Sequence, residues 1–265
     1  MKKEMILDGI KEISLETSQE KLNAPKNFSI PRKSKHLIEI KNLDKSFGKT
    51  IALKNINLNI NDKENLALLG ANGAGKTTLI EIIVGANKQD SGTIEYKYDY
   101  VNNFQEEIGI QFQDSSYPRS LRVRSIVNFM VDIYNIGITK QQLKKMVKMF
   151  GLEKFWAKPA RSLSGGQQQR LNILLALLHK PKIVFLDELS TGLDISVREQ
   201  IKKFVKDYCK VNEINIVLVS HDILEIEQLC DRIVIMQLGE IKVDMYKDEV
   251  IKKFGSVEKL LNMYI

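Results

Sequence analysis

The 265-residue sequence predicts an α/β fold built on a largely parallel sheet. Three observations carry that expectation. Short apolar runs alternate with stretches of helical periodicity from His36 onwards. A glycine-rich turn, Gly70-Ala71-Asn72-Gly73-Ala74-Gly75-Lys76-Thr77, joins one such run to a helical stretch. A continuous apolar run, Ile183 to Leu186, ends in the carboxylates of Asp187 and Glu188, as a central strand buried on both faces would.

In chain order, residues 1–35 read as a basic, polar N-terminal extension closed by Pro25, Pro31 and the Arg32–Lys35 stretch. Ile6, Ile10, Ile13 and Thr17 at helical spacing could form a short amphipathic helix, but a frayed tail is the preferred reading. Strands are expected at Leu37–Ile40, Leu66–Leu69, Ile108–Phe112, Ile183–Leu186, Ile216–Val219 and Ile233–Met236. Helices are expected at Thr77–Val84, Val123–Tyr134, Gln141–Phe150, Gln167–Leu178, Ser196–Tyr208 and Ile223–Leu229. From Ser115 to Gly151 helices follow one another without strands, which reads as a helical insertion. A short helical tail, 246–265, closes the chain.

Composition narrows the function classes. With 43% hydrophobic and 28% charged residues, wholesale disorder and collagen-like repeats are excluded. No run approaches the roughly 20 apolar residues that span a bilayer, and no apolar stretch follows the N-terminal lysines. The expectation is a soluble, unexported chain. Forty basic against 33 acidic residues give a net charge of +7. That balance suits nucleic acid, anionic lipid, a phosphate-bearing ligand or simply a solvated lysine-rich surface. Cys209 and Cys230 lack CxxC spacing, which argues against zinc and a disulfide framework and for reduced thiols.

The turn at Gly70–Thr77 matches G-x-x-x-x-G-K-[ST] between a strand and a helix. Glycines let successive backbone N–H groups curl around a phosphate, and the following helix offers its positive end. Lys76 is placed to neutralise β- and γ-phosphates and Thr77 to put a hydroxyl on Mg²⁺, so the loop is expected to bind a nucleoside triphosphate. Asp187 and Glu188 stand at the carboxyl end of a strand, where such sheets place their sites. Asp187 is the candidate Mg²⁺ carboxylate, and Glu188 the candidate that polarises an attacking water.

Leu163-Ser164-Gly165-Gly166-Gln167, opening a helix about 20 residues before the acidic strand, is explained neither by the phosphate loop nor by packing. It resembles the signature motif of ATP-binding cassette (ABC) ATPases, and with the other motifs the resemblance covers roughly residues 37–245. The implied fold is a P-loop NTPase of ABC type: a mostly parallel central sheet, an antiparallel β subdomain and a helical subdomain, about 114–166, within a domain at 36–245.

The resemblance assigns further roles. Gly70 to Thr78 hold the nucleotide, and Phe47 falls where the family stacks an aromatic on adenine. Gln113 resembles the glutamine that contacts Mg²⁺ and senses the γ-phosphate, with Gln111 as the alternative. Asp194, in Thr191-Gly192-Leu193-Asp194, resembles the loop that links two active sites. His221 resembles the switch histidine that engages the γ-phosphate. Two departures stand out: Leu189-Ser190 where members commonly read Pro-Thr, and a greasy helix after Arg170 without a second arginine.

One phosphate loop and one signature imply a dimer, either of two copies or with a paired ABC subunit, sandwiching two ATP. The implied function is the ATP-hydrolysing subunit of a transporter. It would sit on the cytoplasmic face through a separate integral membrane permease, which contacts Gln113 to Val127 and in particular Tyr117, Pro118 and Arg119. The helical segment favours an exporter of drug, peptide or lipid-linked cargo. The alternatives are an importer subunit or a soluble ABC ATPase on ribosomes or DNA. Nucleic acid is not the expected partner, because the 87 positions from Lys76 to Leu163 leave no room for a coiled-coil or cysteine-rich insertion.

Overall fold

A computed structural model describes residues 36–111, 117–189 and 192–264. β1 (His36–Phe47) and β2 (Thr50–Asn61) form a long antiparallel hairpin. In β2, Ile56, Leu58 and Ile60 are buried while Asn55 and Asn57 are exposed and Asn59 is half-buried, the period-2 pattern of a sheet with one covered face. β3 (Leu66–Leu69) is buried throughout and runs through the glycine-rich loop into α1 (Lys76–Ile83). β4 (Ser91–Tyr96) pairs antiparallel with β1 and completes a sheet ordered β2-β1-β4.

The second sheet adds β5 (Ile108–Gln111), β6 (Ile183–Asp187), β7 (Asn215–Val219), β8 (Arg232–Gln237) and β9 (Glu240–Tyr246), in the order β5-β6-β7-β3-β8-β9. β3 runs parallel to both β7 and β8, and β9 returns antiparallel to β8. The helices are α2 (Val123–Ile133), α3 (Lys140–Met149), α4 (Gly165–Leu178), α5 (Ile195–Val211), α6 (Ile223–Leu229), α7 (Lys247–Phe254) and α8 (Val257–Tyr264). The architecture is a mixed central sheet, a separate antiparallel sheet and helices, as the resemblance implied.

The described residues divide into two compact units. The strand-rich unit holds 36–108, 185–188 and 215–264, and its core includes Leu43, Leu53, Ile56, Leu79, Ile233 and Val234. The helical unit holds 109–111, 117–184, 189 and 192–214. Its central helix, α4, buries Leu171, Asn172, Ile173, Leu174, Ala176, Leu177 and Leu178. Such burial around most of its circumference accounts for the greasy run noted in the sequence.

Each expected helix is present, shifted by at most three residues at either end. Four of the six expected strands are longer than their apolar runs suggested: β1 has 12 residues where four were expected. β2, β4 and β9 were not anticipated from runs, because alternating or edge strands have no contiguous apolar stretch. The expected Ile108–Phe112 strand ends at Gln111, and Phe112 lies outside the described residues. So does the whole of the 1–35 extension.

Candidate active site

In the strand-rich unit the glycine-rich loop leaves β3 with Gly70 at φ 148° and closes on Gly75 at φ 102°. Both glycines are also required by space. A Cβ on Gly70 would collide with the Met236 carbonyl, and one on Gly75 would lie 2.5 Å from the Ala52 carbonyl oxygen. The loop is therefore pressed against β2 and β8 from behind. Ala71, Asn72 and Gly73 are exposed on its open side, where a Cβ on Gly73 would meet nothing within 4 Å. An open glycine-rich turn ahead of a helix start is the kind of backbone that cradles a polyphosphate.

Lys76, the first residue of α1, is buried, and its Nζ donates to the carbonyl oxygens of Gly70 at 2.5 Å and Ala71 at 3.1 Å. Burial lowers its pKa, while the carboxylates of Asp187 and Glu188 oppose that shift. Thr77 is exposed and Thr78 half-buried at the same helix start.

Asp187 ends β6, and its pKa is raised by burial and by the neighbouring Glu188, against the opposing pull of Lys76 and His221. Those four groups thus share one electrostatic environment. Glu188 adopts φ 54°, a left-handed backbone that side chains other than glycine rarely take, and its N–H donates to the Val219 carbonyl at 2.8 Å. His221 follows Val219 by two residues and is exposed. The carboxyl ends of β3, β6 and β7 therefore present the phosphate loop, the acid pair and the histidine side by side, at the end of the sheet where α/β sites form.

Phe47 closes β1 at the hairpin tip, 49% exposed, with the Lys45 Nζ 5.2 Å from its ring centroid. A large ring left open at a turn is available for stacking. Gln113 lies outside the described residues. Gln111 is buried in β5, where its Nε2 lies 3.4 Å from Gln169 Oε1.

In the helical unit, Ser164 is the N-cap of α4 and forms a capping box with Gln167. The Gln167 N–H donates to Ser164 Oγ at 3.4 Å, and the Ser164 N–H donates to Gln167 Oε1 at 3.0 Å. Both residues thus serve as the cap of this helix. A Cβ on Gly165 would meet nothing within 4 Å, so this helix start is open beside the cap. Asp194 precedes α5 as its N-cap residue without a side-chain cap, and its carbonyl accepts the Arg198 N–H at 2.8 Å. Leu189, in place of the usual proline, is fully buried, and its carbonyl accepts from Gln169 Nε2 at 3.2 Å. A proline could offer the same carbonyl. Of the expected permease contacts, Pro118 and Arg119 are exposed, whereas the Tyr117 hydroxyl is bonded to Asn172 Oδ1 and pushed up to about 12 by burial.

Sequence reasoning passed over two buried polar residues beside the histidine, Ser220 and Glu225. Asp222-x-x-Glu225 was visible as a capping pattern, but such glutamates are ordinarily solvated. Both cysteines are buried, which pushes their thiols up, away from reactive thiolate.

Residues 53–191, more than half of the chain, match the family model described as ABC transporter. A probable sulfate/thiosulfate import ATP-binding protein, CysA, of Chlorella vulgaris is 34% identical over 209 residues, covering 77% of this chain and 89% of that protein. The chain belongs to the ABC transporter family. It is one of that family's ATP-binding, ATP-hydrolysing cassettes. The spermidine/putrescine import ATP-binding protein PotA of Clostridium novyi (strain NT) is 34% identical over 214 residues, 79% of this chain. This ABC cassette spans only 62% of PotA's length. Among solved structures, the dimeric post-hydrolysis state of the ATP-binding cassette MJ0796 with ADP and Pi is 28% identical, at a TM-score of 0.69. It covers 79% of this chain, which in turn covers 98% of it. Among the described residues no helix is long and apolar enough to cross a membrane.

Proposed function

We propose that this cassette is the ATP-hydrolysing subunit of an importer, acting as a dimer on a separate integral membrane permease at the cytoplasmic face of the membrane. The observation that carries the proposal is the convergence of Lys76, Asp187, Glu188 and His221 on a phosphate cradle at neighbouring strand ends. Backbone N–H groups of Gly70 to Gly75 hold the β- and γ-phosphates of ATP, Lys76 neutralises them, and Thr78 lies alongside at the start of α1. Phe47 stacks on the adenine.

Thr77 and Asp187 fit Mg²⁺: a hydroxyl and one carboxylate, leaving the remaining positions to phosphate oxygens and water, is how this ion is ordinarily held. Gln113 would join them. Held by Thr77 and Asp187, the ion would supply neutralisation of the charge that develops on the phosphate. Glu188, next to Asp187 at the strand end, takes the proton of the attacking water, and His221 donates to the γ-phosphate.

Ser164, Gly165, Gly166 and Gln167 of one subunit close on the γ-phosphate held by the other, with Asp194 linking the two sites. The cap on Ser164 is compatible with this, because its side chain accepts from the Gln167 N–H and not from those of Gly165 and Gly166 at the helix start. ATP thereby becomes part of the interface, and its hydrolysis favours reopening.

Import replaces the export expected from the helical segment. Two relatives of equal identity are named for import, one for spermidine/putrescine and the other for sulfate/thiosulfate. A polycation and an oxyanion served by equally similar cassettes support a cargo chosen by the permease and not by this chain. The test is affinity purification of the tagged Glu188→Gln chain from detergent-solubilised cells with ATP present. A stoichiometric multi-span membrane protein is expected. Ribosomes or DNA without a membrane protein would sink the transporter reading.

A further inference from the structure

Beside His221 lies a closed set of hydrogen bonds that the scheme above leaves unused. Glu225 is 1% exposed on α6, and Ser220 is buried at the end of β7. Ser220 Oγ lies 2.6 Å from Glu225 Oε2 and accepts the Asp222 N–H at 3.0 Å. Asp222 Oδ1 in turn accepts the N–H groups of Leu224 at 2.8 Å and Glu225 at 3.4 Å. The residues on both sides of His221 are thus tied to one hydroxyl and to one helix start.

The pattern differs from an ordinary capping box. There the third-residue glutamate reaches back to the cap residue's own N–H from solvent. Here the serine hydroxyl stands between them, and the carboxyl is buried with Oε1 lacking a hydrogen-bond partner among the described residues. Helix capping alone requires neither the burial nor the serine, and a buried carboxyl held by one hydroxyl is costly.

We propose that Glu225 is a positioning residue: acting through Ser220, it fixes the turn that aims His221 at the γ-phosphate. The proposal rests on the role given to His221 above. Glu225 touches no substrate.

Steady-state ATP hydrolysis by the purified full chain tests it. Ser220→Ala and Glu225→Ala should each lower kcat about tenfold, as loss of alignment does, with KM for ATP changed less than about twofold. The two together should be no worse than either alone. Glu225→Gln keeps an acceptor oxygen and should recover at least about half of kcat. Adding Glu225→Ala to His221→Ala should cost nothing further, since its effect travels through that histidine. A further loss in the His221→Ala background, or KM moving with kcat, would make Glu225 merely structural. Ser220→Ala removes only a hydroxyl and carries the test if Glu225→Ala fails to fold; wild-type turnover there overturns the clamp. Wild-type turnover in His221→Ala would instead overturn the role of the histidine, and the clamp with it.

Discussion

Glu188 holds a backbone conformation, φ 54°, that costs a side chain other than glycine roughly 1 kcal/mol or more. Its N–H is tied to the Val219 carbonyl, so the sheet holds this backbone in place. Glu188→Gly should therefore raise stability by roughly 0.5–1 kcal/mol in a denaturant titration while abolishing hydrolysis. A lower midpoint would mean that the carboxylate contributes contacts worth more than the strain. Asp187 carries the opposite problem. Burial and Glu188 raise its pKa above the 3.8 of an ordinary aspartate. Below 3.8 the group is protonated both folded and unfolded and costs nothing. As pH rises from 3.8 through the raised folded pKa, the folded state is penalised relative to the unfolded one. Asp187→Asn should match wild-type stability near pH 3 and exceed it at pH 7, with hydrolysis lost. Equal stability across that range would contradict the shift. At this scale the motif residues were legible because their spacing is local. The burial of Glu225 and the left-handed turn of Glu188 were not, since both depend on neighbours distant in sequence.

Helix α4 shows how one element serves two ends. Its cap residue, Ser164, is the residue proposed to meet a γ-phosphate, and Ser→Ala at an N-cap ordinarily costs about 1 kcal/mol. An alanine variant would therefore confuse folding with function. Aspartate caps as well as serine but sets a negative charge where an anion should dock. Ser164→Asp should keep its denaturation midpoint within about 0.5 kcal/mol of wild type and lose ATP-driven association. Wild-type association would place the phosphate elsewhere. The β8–β9 hairpin carries a smaller conflict. Leu238 at φ 51° and Gly239 at φ 77° form its turn, with Leu238 84% exposed. A type I′ turn prefers Asn-Gly, so Leu238→Asn should gain about 0.5–1 kcal/mol in thermal or denaturant unfolding. Elements were legible where their pattern was contiguous: β3, β6 and β8 stood out as apolar runs. β2 did not, although Ile56, Leu58 and Ile60 alternate with Asn55, Asn57 and Asn59, because asparagine is depleted in strands and masks the alternation.

Across the whole molecule, the proposed sandwich pairs the phosphate loop of one subunit with the signature of another. Nucleotide is then a component of the interface, and association should follow its γ-phosphate by mass action. On the proposed scheme, neutralising Glu188 removes both the base and a negative charge near the triphosphate, which favours the closed state twice over. Glu188→Gln should therefore form a dimer in light scattering with ATP and Mg²⁺, and revert to monomer with ADP. Lys76→Ala should stay monomeric in both, since the loop then lacks its buried cation. Ser164→Asp introduced into Glu188→Gln should weaken the dimer without displacing ATP from the loop, because loop and signature lie on different subunits. A dimer equally strong with ADP, or one indifferent to Ser164→Asp, would mean that the chains associate through some other surface. In that case ATP would act within one chain, and the single loop and signature would have to be reconciled without a shared site.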